Sequence, residues 1–138
     1  MIPAVTCPAP SLPGIAHAWH MPGHTYTALK RFADAAYQQE GSARVDHAYM
    51  IHDRVMPFEI HNYAHNNQWL ATSLGHVGRA RDAIAVARNL VEQPRDPDKN
   101  HTKDGGSAQR SGRLRWAETL TRFELWDDLI ADTTSGAL

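Results

Sequence analysis

The segment from Arg79 to Glu92 constrains the fold more than any other part of the chain. Its apolar residues recur at positions i, i+3, i+4 and i+7, and they are Ala80, Ala83, Ile84, Ala87, Leu90 and Val91. This spacing places them on one face of an α-helix. Most of these side chains are small, so a neighbouring helix can approach closely. The segment therefore predicts a core made by helices that pack on helices.

Weaker helical patterns lie on both sides of this segment. One begins at Arg31, and Gly41 within it is either a break or a weak point. This pattern ends at Met56-Pro57, because a residue that precedes a proline is disfavoured in the α conformation. A second is expected from about Glu59 to Gly75, and two more follow Leu114 and Trp126. No segment has the alternation of β-branched residues that is typical of strands. The predicted fold class is all-α.

The ends and one internal segment lack helical periodicity. Five of the prolines fall within residues 1–22, so residues 1–21 are expected to be extended, with Pro22 in the first turn of a helix. Residues 94–112 are polar and are predicted to form a mobile loop. We therefore expect one helical domain over 22–132 and a short tail over 133–138.

Composition excludes several classes of protein. The 138 residues suit one domain, and a formal net charge of −1 disfavours nucleic acid as a partner. No apolar run is long enough for a membrane span, and the N-terminus has no signal-peptide pattern, so a soluble chain is expected. Cys7 is the single cysteine, which excludes an internal disulfide and leaves the compartment open.

A short pattern recurs at three predicted helix starts. Arg31-Phe32-Ala33-Asp34-Ala35 aligns with Arg79-Ala80-Arg81-Asp82-Ala83, and Leu125-Trp126-Asp127-Asp128-Leu129 has a similar register. Each places an Asp in the first helical turn, where the helix dipole favours negative charge. Helix pairs that recur in this way stack on one another.

The segment from Leu74 to Ala83 resembles the turn between the two helices of a tetratricopeptide repeat. Gly78 stands at the usual turn glycine and Ala83 at the usual small packing position, whereas the first unit has Lys30 in place of that glycine. The resemblance implies antiparallel helix pairs stacked as a solenoid.

A second resemblance rests on the segment His20-Met21-Pro22-Gly23-His24, together with His61-Asn62-Tyr63-Ala64-His65. It is similar to bacterial repeat proteins with a His-Met-Pro-Gly/Ser-His motif, some of which also carry a thioredoxin-like domain. This chain has no Cys-x-x-Cys and no βαβ pattern, so the resemblance implies no redox chemistry here.

The nine histidines allow two interpretations. His20, His24, His61 and His65 could meet on one face and hold zinc, copper or nickel, since His61 and His65 are four residues apart on a helix. Alternatively, these imidazoles are buried hydrogen-bonding groups that hold helices together. The second interpretation is favoured, so no cofactor is expected, with zinc or copper as the alternative.

A peptide-binding groove is predicted from the side chains His24, Tyr26, Asn62, His65, Asn66 and Trp69. The aromatic members could instead belong to the core, and the amides could cap neighbouring turns.

The leading hypothesis for function is a module that binds a protein, a peptide or another domain of a larger parent protein. The alternative is a histidine-rich metal-binding domain, or a metal-dependent enzyme that uses Asp46 or Glu59 as its base. A purely structural spacer is a third possibility. No glycine-rich turn surrounds Ser42 or Ser73, so nucleophilic catalysis is not supported and an enzyme is not favoured.

Overall fold

The computed structural model describes residues 13–60, 62–96 and 107–138, and in this part of the chain all regular structure is helical. The helices are α1 (Ala16–Ala28), α2 (Phe32–Asp53), α3 (Tyr63–His76), α4 (Ala80–Glu92), α5 (Ala108–Arg122) and α6 (Trp126–Ser135). A single 3₁₀ turn, Pro57–Glu59, precedes α3. The prediction of an all-α fold is confirmed. None of the described helices combines the length and apolarity needed to cross a membrane.

The helices pack in chain order, each against the next, and α3 also packs against α5. One apolar cluster joins α4 to α5 through Ala87, Val91, Trp116 and Leu120. A second joins α3 to α4 through Leu70, Leu74 and Ala83, and Ala83 is completely buried. The alanine-rich face of α4 therefore lies in the core, as its periodicity predicts.

The contact between α2 and α3 includes a buried polar pair, Asp46 and Asn66, and α2 also buries the polar side chains of Gln38, Gln39 and Ser42. We call these five residues the polar seam. Asn66 Nδ2 donates a hydrogen bond of 2.7 Å to Asp46 Oδ2. Burial raises the pKa of the Asp46 carboxyl, which the bond from Asn66 partly opposes.

Helix α1 begins earlier than the sequence predicts. It starts at Ala16 and contains Pro22 within it, so residues 16–21 are helical and not extended. A proline inside a helix removes one backbone donor but does not always end the helix, because contacts with a neighbouring helix offset the loss. Here α1 packs along α2. His17, His20 and His24 therefore lie on one continuous helix.

Gly41 does not interrupt α2, which is continuous from Phe32 to Asp53. The indole of Trp19 from α1 occupies the space where a side chain at position 41 would stand. Gly41 is thus a site of close helix contact. The next helix begins at Tyr63, later than the predicted start near Glu59, because the 3₁₀ turn at Pro57–Glu59 comes first.

Helix α5 begins inside the range predicted as a loop. The Ser107 hydroxyl accepts a hydrogen bond from the backbone N–H of Arg110 and caps the helix, and Ala108 and Gly112 are buried. Residues 107–112 are therefore packed structure, whereas 97–106 lie outside the described residues. Helix α6 likewise extends to Ser135, into the predicted tail.

The three aligned helix starts share one turn geometry. Lys30, Gly78 and Glu124 have φ of 58°, 83° and 55°, all in the left-handed region. The following residue in each case donates its backbone N–H to the carbonyl five residues earlier: Arg31 to Tyr26, Arg79 to Leu74 and Leu125 to Leu120. The recurrence found in the sequence is thus a recurrence of local structure, and Lys30 adopts the glycine-like conformation without being glycine.

Candidate functional site

Three histidines from two helices converge beside α2. Helix α1 supplies His20 and His24, one turn apart, and α3 supplies His65. One ring nitrogen from each lies within 4.8 Å of the others. We call these residues the histidine cluster. His61, the fourth predicted ligand, lies outside the described residues.

His20 is the buried member of the cluster, and α2 holds it in place. Gln39 Nε2 donates to the backbone oxygen of His20 at 3.4 Å, which turns Gln39 Oε1 toward His20 Nδ1 at 2.8 Å. Nδ1 therefore carries the hydrogen and donates it, and Nε2 is left with its lone pair. The Gln39 amide fills the space beside Gly23 where a Cβ would otherwise stand. The glycine in the His-Met-Pro-Gly-His segment thus leaves room for this amide.

Burial also keeps the His20 imidazole neutral. The pKa of His20 is lowered from 6.5 to about 4, mainly by loss of solvation; the bond to Gln39 opposes this change, and the nearby His24, His65 and His17 add to it. A neutral imidazole is the form that binds a metal ion. The His20 imidazole is therefore in the form that a metal ligand would need at neutral pH.

Exposure increases across the cluster from His20 through half-buried His24 to exposed His65. His24 Nε2 lies 2.6 Å from His20 Nε2, and the ring centroids of His20 and His65 are 4.8 Å apart. The edge of Trp69 packs on His24, with centroids 4.5 Å apart, and Gln68 Nε2 lies 3.0 Å from His65 Nδ1. One side of the cluster is buried and the other is open to solvent.

Only part of the predicted groove comes together. His24, His65 and Trp69 are neighbours. Asn66 is completely buried and bonds Asp46, so the prediction that it lines a groove is wrong: its position on α3 faces α2. Tyr26 lies under the guanidinium of Arg31, 4.7 Å from it, and Asn62 directly precedes α3.

The two candidate bases have hydrogen bonds that lead away from the histidine cluster. Asp46 accepts from Asn66 within the polar seam. Glu59 Oε2 accepts from the backbone N–H of Met56 at 2.6 Å, in the turn before α3. Neither arrangement supports the role of a catalytic base beside the histidines.

Gln39 was not among the predicted site residues, although the sequence contains a signal for it. It follows Ala35 by four residues, on the apolar stripe of α2. A polar side chain at such a position requires a buried hydrogen-bond partner. His20 is that partner, and neither the repeat pattern nor the histidine spacing identifies it.

Comparison of the chain with family models, with curated proteins and with solved structures gave no significant match.

Proposed function

We propose that this helical domain binds one transition-metal ion through His20, His24 and His65. The observation that carries the proposal is the convergence of three imidazole nitrogens within 4.8 Å of one another. A tetrahedral zinc ion with bonds of about 2.0 to 2.1 Å places its ligand nitrogens about 3.3 Å apart. Rotation of the partly exposed His24 and His65 rings can provide this spacing.

The surroundings of His20 favour a metal ligand over a purely structural histidine. Histidines that bind metals usually donate their second ring N–H to a carbonyl or carboxylate, as His20 does to Gln39. Of the three histidines, only His20 bonds Gln39 on α2. His24 and His65 are more exposed and are not needed for that contact, yet they place nitrogens beside it.

Three imidazoles and an accessible fourth position suit zinc or copper, with nickel as a further possibility. Water or an external ligand would complete the coordination on the exposed side, near His65. His61, the fourth ligand predicted from the sequence, lies outside the described residues and stays a prediction. Since Asp46 and Glu59 do not face the cluster, the proposal is binding and not catalysis.

Metal titration of chelator-treated protein tests the proposal. Zinc binding is measured by competition with a chromophoric chelator, and cobalt(II) absorbance reports a tetrahedral site. We expect one ion per chain, and a weakening of at least about tenfold in His24→Ala and in His65→Ala. His52→Ala is the matched control, because His52 is exposed and pairs with Asp53 away from the cluster. Absence of stoichiometric binding, or equal affinity in all variants, would contradict the proposal.

A protein-binding module of the tetratricopeptide type is the second candidate. It is supported by the repeated turn geometry at Lys30, Gly78 and Glu124 and by the contact of α3 with α5. Selection from a displayed peptide library tests it, with counter-selection against Trp69→Ala. Enriched peptides that bind the natural chain and not this variant would support a groove at α3.

A further inference from the structure

A second cluster of polar side chains lies between α3 and α5, away from the three histidines. This open cleft has a volume of about 650 Å³ and is lined by Thr72, His76, Arg115, Ala117, Glu118, Thr121 and Arg122. Thr72 and His76 stand on the same helix as His65, so α3 contributes to both sites. The cleft has no role in the proposed metal site.

The charge of Arg122 has no carboxylate partner among the described residues. Its hydrogen-bond partner is an imidazole: Arg122 Nη1 donates to His76 Nδ1 at 3.1 Å. Arg115, two turns earlier on α5, is different because its Nη1 lies 2.6 Å from Glu118 Oε2. The cleft therefore contains two guanidinium groups and one carboxylate, and its excess charge is positive.

His76 is positioned as a second donor beside Arg122. Its ring stacks flat on Phe32, with centroids 4.0 Å apart and an angle of 8° between the planes. Partial burial and the Arg122 charge both lower the pKa of His76, so the ring is neutral at neutral pH. Because Nδ1 accepts from Arg122, the hydrogen of the neutral ring is on Nε2.

The two threonine hydroxyls of the cleft are already used in hydrogen bonds within their own helices. The hydroxyls of Thr72 and Thr121 donate to the backbone oxygens of Gln68 and Ala117 within their own helices. Donors that remain for a ligand include the other N–H groups of Arg122 and Nε2–H of His76. A guanidinium with an adjacent imidazole donor recognises an oxyanion, since both offer N–H groups and the net charge is favourable.

We infer that the cleft between α3 and α5 binds an oxyanion group, a phosphate or a carboxylate, through Arg122 and His76. Arg115 adds positive potential from the same helix while it remains paired with Glu118. The ligand is a small anion or an anionic group of a larger molecule. This inference is independent of the proposed metal function.

Titration of the metal-free protein with inorganic phosphate tests the inference, with a chelator present and amide and side-chain N–H shifts followed by NMR. We expect saturable shifts at α3 and α5 around His76 and Arg122. Arg122→Gln should weaken binding at least about tenfold, and His76→Ala should weaken it less. Arg44→Gln is the matched control, because Arg44 is an exposed arginine already paired with Glu40.

A parallel titration with acetate, at equal ionic strength, separates the two oxyanion classes. Saturable binding of either anion that depends on Arg122 supports the inference and identifies the class. Shifts that are linear with concentration, or equal affinities for the natural chain and Arg122→Gln, would overturn it. The anion titrations contain no metal, so a negative result in them does not contradict the proposed metal site. A negative metal titration likewise does not contradict the proposed anion site.

Discussion

Gly112 of α5 lies so close to Leu90 of α4 that a Cβ on Gly112 would come within 2.8 Å of the Leu90 Cβ. The same Cβ would lie 2.7 Å from the backbone oxygen of Ala87. These atoms belong to the core contact between the two helices and cannot easily move. The crossing of α4 and α5 therefore depends on the absence of a side chain at position 112.

Gly112→Ala should lower the free energy of unfolding by about 1–3 kcal/mol, because an added methyl group overpacks this contact. Gly75→Ala is the matched control: Gly75 is also helical, and a Cβ there meets nothing within 4 Å. Alanine favours a helix over glycine by about 1 kcal/mol, so the control should be neutral or stabilising. Urea unfolding measures both. A loss of stability in Gly75→Ala alone would contradict the conclusion that Gly112 lies in a close contact between α4 and α5.

Ala83→Leu should destabilise the protein by about 1–3 kcal/mol, since Ala83 is completely buried against Leu70 and Leu74. Ala85→Leu changes the same residue type at an exposed position of α4 and should have little effect. Thermal unfolding followed by circular dichroism compares the two variants. Equal melting temperatures for all three proteins would show that position 83 has room for a larger side chain.

Lys30→Gly should raise the free energy of unfolding by up to about 1 kcal/mol. Lys30 has a left-handed backbone conformation that costs L-residues about 1–2 kcal/mol and costs glycine nothing. Glycine offsets part of this gain because it loses more chain entropy on folding. The reverse change at the equivalent turn, Gly78→Ala, should destabilise by about 1 kcal/mol. Denaturant unfolding of the pair tests whether the two turns are equivalent. Effects of the same sign at both positions would show that they are not.

Acid should destabilise the fold through His20. The unfolded chain binds a proton at His20 near the ordinary pKa of 6.5, whereas the folded chain does so only near 4. Stability should therefore fall as the pH drops from about 6.5 to about 4, by about 3 kcal/mol at 1.36 kcal/mol per pKa unit. His20→Gln keeps a polar side chain without this titration. Unfolding measured across this pH range should show a smaller loss for the variant; equal losses would mean that the pKa of His20 is the same in the folded and the unfolded chain.

Gln39→Met should weaken zinc binding about tenfold or more, because the His20 ring loses the acceptor that orients it. Ser42→Ala, which changes a buried residue one turn further along α2, is the control for general loosening of the seam. The comparison uses zinc affinity of folded protein at a temperature where both variants are native. Equal weakening in both would indicate a structural effect and not a specific role for Gln39.

The sequence predicts those parts of the fold in which local periodicity and tertiary packing agree. Helix α4 is expected from Arg79 to Glu92 and is found as Ala80–Glu92. The start of α1 was misplaced because Pro22 disfavours a helix locally, while packing on α2 outweighs that preference. Similarly, Gly41 resembles a helix break until the Trp19 indole that occupies its space is known.

The site was predictable only in part for a related reason. The spacing of His20 and His24 suits one helix face, although the sequence analysis places His20 in an extended segment before Pro22; the choice of His65 as their companion is consistent with the structure. Gln39 supports His20 because of the rotation of α2 relative to α1, and no local sequence pattern contains that information. The burial of Asn66 depends in the same way on the contact between α2 and α3.

The hydrogen bond between Asn66 and Asp46 restricts sliding of α3 along α2 more strongly than an apolar contact would. A shift by one helical turn, about 5.4 Å, would separate Asn66 from Asp46 and leave both buried without each other. His65 immediately precedes Asn66, so the bond that prevents sliding also sets the height of His65 relative to His20. Substitutions that loosen the apolar contact of α4 with α5 should therefore leave the spacing of the imidazoles unchanged.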